Sequence, residues 1–224
     1  MLNRTKFKNS TRDFVYDTMR ESIMNLEMPP GKAISEKEIA EELEVSRTPV
    51  REAFLRLTQD ELLTVLPQRG SFVALIDLDH VEEARFLREQ AEVGIIRLAC
   101  EVLNESYIEK LQSNLSEQKE ARDSDDENTL YILDKEFHRI FAEGTDKHRV
   151  WNVVQKMDTH SNRLRKLSIE LKLNWRKLVD QHEAMLNAVK SNKPDLAEDI
   201  MREHLSLLIY DQEELKANYP DYFY

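Results

Sequence analysis

Residues 35–73 read SEKEIAEELEVSRTPVREAFLRLTQDELLTVLPQRGSFV, and the order of elements in this stretch decides the fold of the N-terminal third. Ser35-Glu36-Lys37-Glu38 is a Ser-x-x-Glu capping box, which opens a helix by giving the first backbone N–H groups a side-chain acceptor. Ile39, Ala40 and Leu43 form the apolar stripe of that helix, which stops near Glu44-Val45. Ser46 opens the next helix, where Val50, Ala53, Phe54 and Leu57 mark the inner face. Pro49 is tolerated in its first turn, where N–H groups lack partners anyway. Two short alternating runs follow, Leu63–Leu66 and Ser71–Leu75, joined through Gln68-Arg69-Gly70. Upstream, residues 12–27 carry Phe14, Val15, Met19, Ile23, Met24 and Leu26 at helical spacing, and Met28-Pro29-Pro30-Gly31 ends that helix. Helix, helix, tight step, helix and hairpin make a winged helix-turn-helix.

That fold predicts a partner. The step between the second and third helices turns the N-terminal residues of the third outward, in the geometry that enters a DNA major groove. Arg47, Thr48 and Arg51 are those outward residues. Arg pairs in a fork with guanine, and Thr suits a phosphate or a thymine methyl group. Ser46 and the free N–H groups beside it suit a phosphate, and Arg69-Gly70 at the hairpin tip suits the minor groove or the backbone. The charge distribution agrees. Residues 1–76 hold 11 Lys/Arg against 12 Asp/Glu, whereas residues 77–224 hold 21 against 31. The net charge of −11 is thus concentrated in the second part, and the first also begins with basic Arg4, Lys6, Lys8 and Arg12.

The string Val45-Ser46-Arg47-Thr48-Pro49-Val50-Arg51-Glu52-Ala53, with the later Pro67-Gln68-Arg69-Gly70-Ser71, resembles the winged-helix signature of the GntR family of bacterial transcription regulators. The resemblance spans about residues 12–76. It implies that Arg47, Thr48 and Arg51 contact bases and phosphates, assisted by Lys37 and by Gly70 in the wing. Lys37 departs from the arginine often found there, and serves as a point charge rather than a fork.

From Asp77 to Tyr224 the pattern is helical throughout, so the expected architecture is mainly α: a winged helix-turn-helix over 1–76 and an all-α bundle over 77–224. Six helices are predicted, at 79–102, 105–123, 127–143, 147–171, 174–191 and 194–216. Asp134 and His138 are four residues apart on one helical face. His182 falls among Leu178, Met185, Leu186 and Val189, and His204 among Ile200, Met201, Leu207 and Leu208. A single histidine on an apolar face is usually a hydrogen-bonded core residue. Three of them with an aspartate, all facing inward, suit a divalent metal: Zn, Ni, Mn or Fe(II). His80 and His148 sit near helix starts and read as surface or capping residues.

Asp134-Lys-Glu-Phe-His138, Gln181-His182-Glu183 and Met201-Arg202-Glu203-His204-Leu205 resemble the FCD domain that follows the winged helix in FadR-type members of the family. The resemblance implies that Asp134, His138, His182 and His204 hold a divalent cation, most simply zinc, and that a small carboxylate effector binds beside it. Arg88 and Glu92 match an Arg-x-x-x-Glu step of that domain. Arg88 either pairs with the effector or forms a structural ion pair with Glu92. Asn162, Arg163 and Arg165 are further candidates for the effector.

These features predict a ligand-responsive regulator, probable in the role of repressor, that binds a palindromic double-stranded operator as a homodimer. The alternative is a helical metal-dependent enzyme using the Asp/His cluster. It is disfavoured because Glu136 and Glu183 point away from their neighbouring ligands, and no histidine has a glutamate three residues before it. The single cysteine, Cys100, excludes an internal disulfide framework. With no apolar run of membrane-spanning length and no signal-like N-terminus, this predicts a cytoplasmic protein without a membrane partner.

Overall fold

The computed structural model describes residues 10–173, 175–210 and 212–224, without the side chains of 175, 176 and 208–210. The basic residues Arg4, Lys6 and Lys8 lie outside the described residues, as do Asn174, where one helix was expected to start, and the side chain of Leu208. By internal packing the chain forms two units. One runs through Leu78 and includes Lys216–Tyr224, and the other is Asp79–Leu215.

The first unit is a winged helix-turn-helix. Helix α1 (Thr11–Met24) buries Val15, Met19 and Ile23. A two-residue strand β1 (Ala33–Ile34) precedes α2 (Glu36–Leu43) and α3 (Arg47–Gln59). The Ser35 side chain accepts from Glu38 N–H at 3.1 Å, as the capping box requires. Glu44 then takes a left-handed conformation (φ 54°), which turns the chain sharply enough to start α3 two residues later. Strands β2 (Leu63–Leu66) and β3 (Gly70–Val73) form the hairpin, with Gly70 at φ 104°. The hairpin was legible in the sequence but β1 was not. It joins the edge of β3, giving the order β1-β3-β2, and two residues are too few to show an alternating pattern. Ile39, Val50, Phe54, Leu57, Leu62 and Val73 join the α1 residues in one core.

The last residues return to this unit, which differs from the expected assignment of 77–224 to the bundle. A 3-10 turn, Pro220–Tyr222, brings Phe223 beside Ile76 in a parallel bridge. Ile76 N–H donates to the Tyr222 carbonyl at 2.7 Å, and Tyr224 N–H donates to the Ile76 carbonyl at 3.3 Å. Ile76 and Phe223 are both buried.

The second unit is an all-helical bundle: α4 (Leu78–Val102), α5 (Glu105–Asp123), α6 (Glu127–Gly144), α7 (His148–Met157), α8 (Thr159–Glu170), α9 (Trp175–Lys190) and α10 (Pro194–Tyr210), followed by α11 (Gln212–Asn218). The expected single helix over 147–171 is two, because the chain breaks at Asp158. Leu111, Leu130, Phe137, Phe141, Val179, Met185 and Met201 anchor its core. No helix among the described residues is long and apolar enough to cross a membrane.

Candidate functional site

On the winged helix, Ser46, Arg47, Thr48 and Arg51 are all exposed, clustered on the first turns of α3. The opposite face of α3 carries Val50, Ala53, Phe54 and Leu57, whose burial fixes which residues turn outward. Ser46 occupies the N-cap position, but its side chain makes no cap hydrogen bond. The start of α3 therefore keeps donors for an anion. Lys37, exposed on α2, lies 3.8 Å from Glu41. Arg69 and Gly70 are exposed at the hairpin.

In the bundle, Asp134 and His138 of α6, His182 of α9 and His204 of α10 converge. All four are buried, and one ligand atom from each lies within 4.8 Å of the others. His138 Nε2 is 3.2 Å from His204 Nε2, and Asp134 Oδ1 is 3.8 Å from His138 Nε2 and 3.7 Å from His182 Nε2. Metal–ligand bonds of about 2.0–2.2 Å fit within such a cluster.

Polar groups behind the ring fix its tautomers. His182 Nδ1 is 2.8 Å from Gln118 Oε1, Gln118 Nε2 donates to Asn114 Oδ1 at 2.6 Å, and Asn114 Nδ2 donates to the Leu133 carbonyl at 3.1 Å. The carbonyl at the far end can only accept, so the relay has one direction. The proton sits on Nδ1 of His182, leaving the Nε2 lone pair to face Asp134. His138 Nδ1 rests against Glu92, which Arg88 also holds. Phe137 stacks on His182 with ring centroids 4.1 Å apart.

Burial holds His182 and His204 well below the ordinary imidazole value, so both are neutral and able to ligate. Burial pushes Asp134 up. Neither of its oxygens has a hydrogen-bond partner, an unfavourable state for a buried carboxylate unless a cation shares the site. Burial also raises Glu92, but the Arg88 guanidinium and His138 outweigh it and hold Glu92 at about 2. The donor set and the orphaned Asp134 oxygens fit a divalent cation.

Beside the cluster lies a cavity of about 50 Å³, room for a few water-sized groups. Arg85, Arg88, Asp134, Asp158, Arg165 and His204 form its polar wall, with Ser161 and Ser168. Of the residues expected to meet an effector, Arg88 lines the cavity. It pairs with Glu92, and its Nη1 is 3.7 Å from Asp158. Asn162 lies behind the wall and accepts from Arg165 Nη1 at 2.9 Å. Arg163 is fully buried but turned elsewhere, with Nη2 3.1 Å from His160 Nδ1. Adjacent helical residues point about 100° apart, so Arg163 and Arg165 cannot face one cavity alike. His80 is not a free surface residue: it is half-buried, with its ring 4.5 Å from that of His160.

Asp158, Ser161 and Ser168 were not singled out from the sequence. The signal was present in composition. Helix α8 is polar, yet Thr159 through Ile169 are all buried, and a polar helix buried on every side must surround polar partners or a ligand.

Comparison with known proteins matches residues 11–73 to the family described as bacterial regulatory proteins, gntR family, and residues 83–207 to the FCD domain. The chain is 34% identical over 220 residues to an HTH-type transcriptional regulator in an unstable DNA locus of Streptomyces ambofaciens, spanning 98% of this chain and 92% of that one. It is 29% identical over 209 residues to the HTH-type transcriptional repressor RspR of Escherichia coli K12, spanning 93% and 92%. Among solved structures, E. coli McbR/YncC shares the fold with a TM-score of 0.76 at 20% identity, covering 94% of this chain and 99% of that one. A transcriptional regulator from Rhodococcus sp. RHA1 gives 0.73 at 20% identity, covering 94% and 100%.

Proposed function

The chain belongs to the GntR family, carries an FCD domain and is a DNA-binding transcriptional regulator rather than an enzyme, and on that premise we propose that its helical unit binds a divalent metal and a small carboxylate that together control operator binding. The observation that carries this reading is the buried Asp134, His138, His182 and His204 cluster opening onto a cavity walled by Arg88 and Arg165. The four side chains would hold the metal, with zinc as the simplest choice for three imidazoles and one carboxylate. Bound there, the ion supplies a positive charge for a ligand carboxylate. Arg88 supplies a directed donor for the same group.

Ser46, Arg47, Thr48 and Arg51 read the operator in this proposal, with Lys37, Arg69 and Gly70 assisting along the backbone and groove. The protein works in the cytoplasm as a homodimer on a palindromic site, whose half-sites lie about 34 Å apart along the duplex. Exposed Phe86 on α4 (63%) and Val153 on α7 (53%) support pairing through the helical unit, because isolated helices rarely leave such side chains in water without use. A carboxylate that binds one arrangement of the two winged helices better than another shifts operator affinity by its difference in affinity, about 1–3 kcal/mol in ordinary allosteric pairs. The relative named as a repressor supports release of the operator as the response.

The test is elemental analysis of the purified protein together with titration of small carboxylates against a duplex recovered by selection from random DNA. One divalent ion per chain and carboxylate-dependent release are expected. His138→Ala combined with His204→Ala should abolish the metal and the response while leaving DNA binding intact. Full metal content in that double variant would overturn the ligand assignment.

A further inference from the structure

Asp158, at the break between α7 and α8, lies in the wall of the cavity and is fully buried. Its Oδ2 is 3.4 Å from Arg165 Nη2 and 3.7 Å from Arg88 Nη1. These are longer than the roughly 2.7–2.9 Å of a direct charge-assisted hydrogen bond. Both guanidinium groups have other acceptors: Arg88 has Glu92, and Arg165 has Asn162 Oδ1 at 2.9 Å. Asp158 is thus not needed to satisfy either arginine. Its Oδ1 has no hydrogen-bond partner, and neither has Arg88 Nη2. The cavity wall therefore offers one unmet donor and one unmet acceptor, both buried, and a bound molecule is the natural partner for each.

We infer that Asp158 makes this cavity selective for a hydroxylated carboxylate, with Arg88 taking the carboxylate and Asp158 accepting a hydroxyl proton of the same molecule. The inference rests on the carboxylate reading above and narrows it. An ionised Asp158 only accepts, so a plain carboxylate satisfies Arg88 and leaves Asp158 unmet. A dicarboxylate fares worse, because its second carboxylate meets the charge of Asp158 across a dry wall. A hydroxyl group donates to Oδ1 and relieves both faults. Ser161 and Ser168, on the same wall, accept or donate and accommodate further hydroxyls. A site built to bond a hydroxyl discriminates strongly against the analogue lacking it.

The test uses the full chain loaded with Zn²⁺ and calorimetric titration with two matched pairs, lactate with propionate and gluconate with hexanoate, and with succinate. The hydroxylated member of at least one pair should bind at least about tenfold tighter than its partner, and succinate should bind no better than propionate. Asp158→Asn, which removes the charge and keeps the shape, should shrink the preference several-fold and improve succinate. If wild-type protein binds both members of each pair equally, the selectivity inference is overturned while the carboxylate reading stands. If none of the five acids binds to the loaded, folded protein, the carboxylate reading falls and takes this inference with it. The wild-type ratios decide the matter even if Asp158→Asn does not fold.

Discussion

Arg51 stands exposed on α3, one turn beyond Arg47, with its Cα held by buried neighbours Val50, Ala53 and Phe54. A side chain positioned by its neighbours and touching none of the core separates binding from stability. Arg51→Ala should weaken binding to the selected operator by roughly 1–3 kcal/mol and relax base preference at one position. Its melting temperature should stay close to that of the parent. Lys37→Ala should instead weaken binding to all duplexes alike and lower the salt dependence by about one counterion. Fluorescence anisotropy over a salt series distinguishes the two, and an unchanged operator affinity would remove Arg51 from the reading surface. Such residues are legible in sequence because an apolar stripe defines the outward face by exclusion. Asp134, His138, His182 and His204 are legible for the converse reason: polar residues at inward helical positions stand out against apolar neighbours. Gln118 and Asp158 are not, because a glutamine on a charged helix or an aspartate at a helix break looks solvated until its tertiary partners are known.

At the scale of elements, α5 supports the cluster by backing α9. Gln118 and Asn114 project from α5 and connect His182 to a backbone carbonyl of α6. Gln118→Leu keeps the volume and removes the acceptor, freeing the imidazole to turn. Affinity for Zn²⁺, measured by competition with a chromophoric chelator, should fall about 10–100-fold; equal affinity would show that packing by Phe137 alone orients the ring. Helix α8 shows where reading by pattern fails. THSNRLRKLSI carries the polarity of a solvated surface helix, yet it is buried from Thr159 to Ile169. Periodicity reports the contrast between two faces, and α8 has none to report because polar groups meet it on several sides. The break at Asp158 was missed on the same ground: the turn contains neither glycine nor proline. The capping box at Ser35 and the turn at Gly70 were legible because each rests on interactions within a few residues.

At the scale of the whole molecule, the chain's contacts do not follow its order. Ile76 and Phe223 lie 147 positions apart in sequence and pair as neighbouring strands in the first unit. Removing residues 216–224 deletes two backbone hydrogen bonds and exposes the apolar surface that Phe223 covers. Burying a phenylalanine contributes roughly 1.5–3 kcal/mol, so the truncated chain should melt several degrees lower, a shift of about 2–4 °C per kcal/mol for a protein of this size. Calorimetry of the truncated and parent proteins checks this, and an unchanged transition would mean the tail adds nothing to the fold. The pairing also bears on engineering. A chimera that grafts residues 1–76 onto a foreign sensor module would inherit the reading helix without the strand that completes its base. Transplants of this recognition head should therefore carry the tail along, spliced back in after the new module.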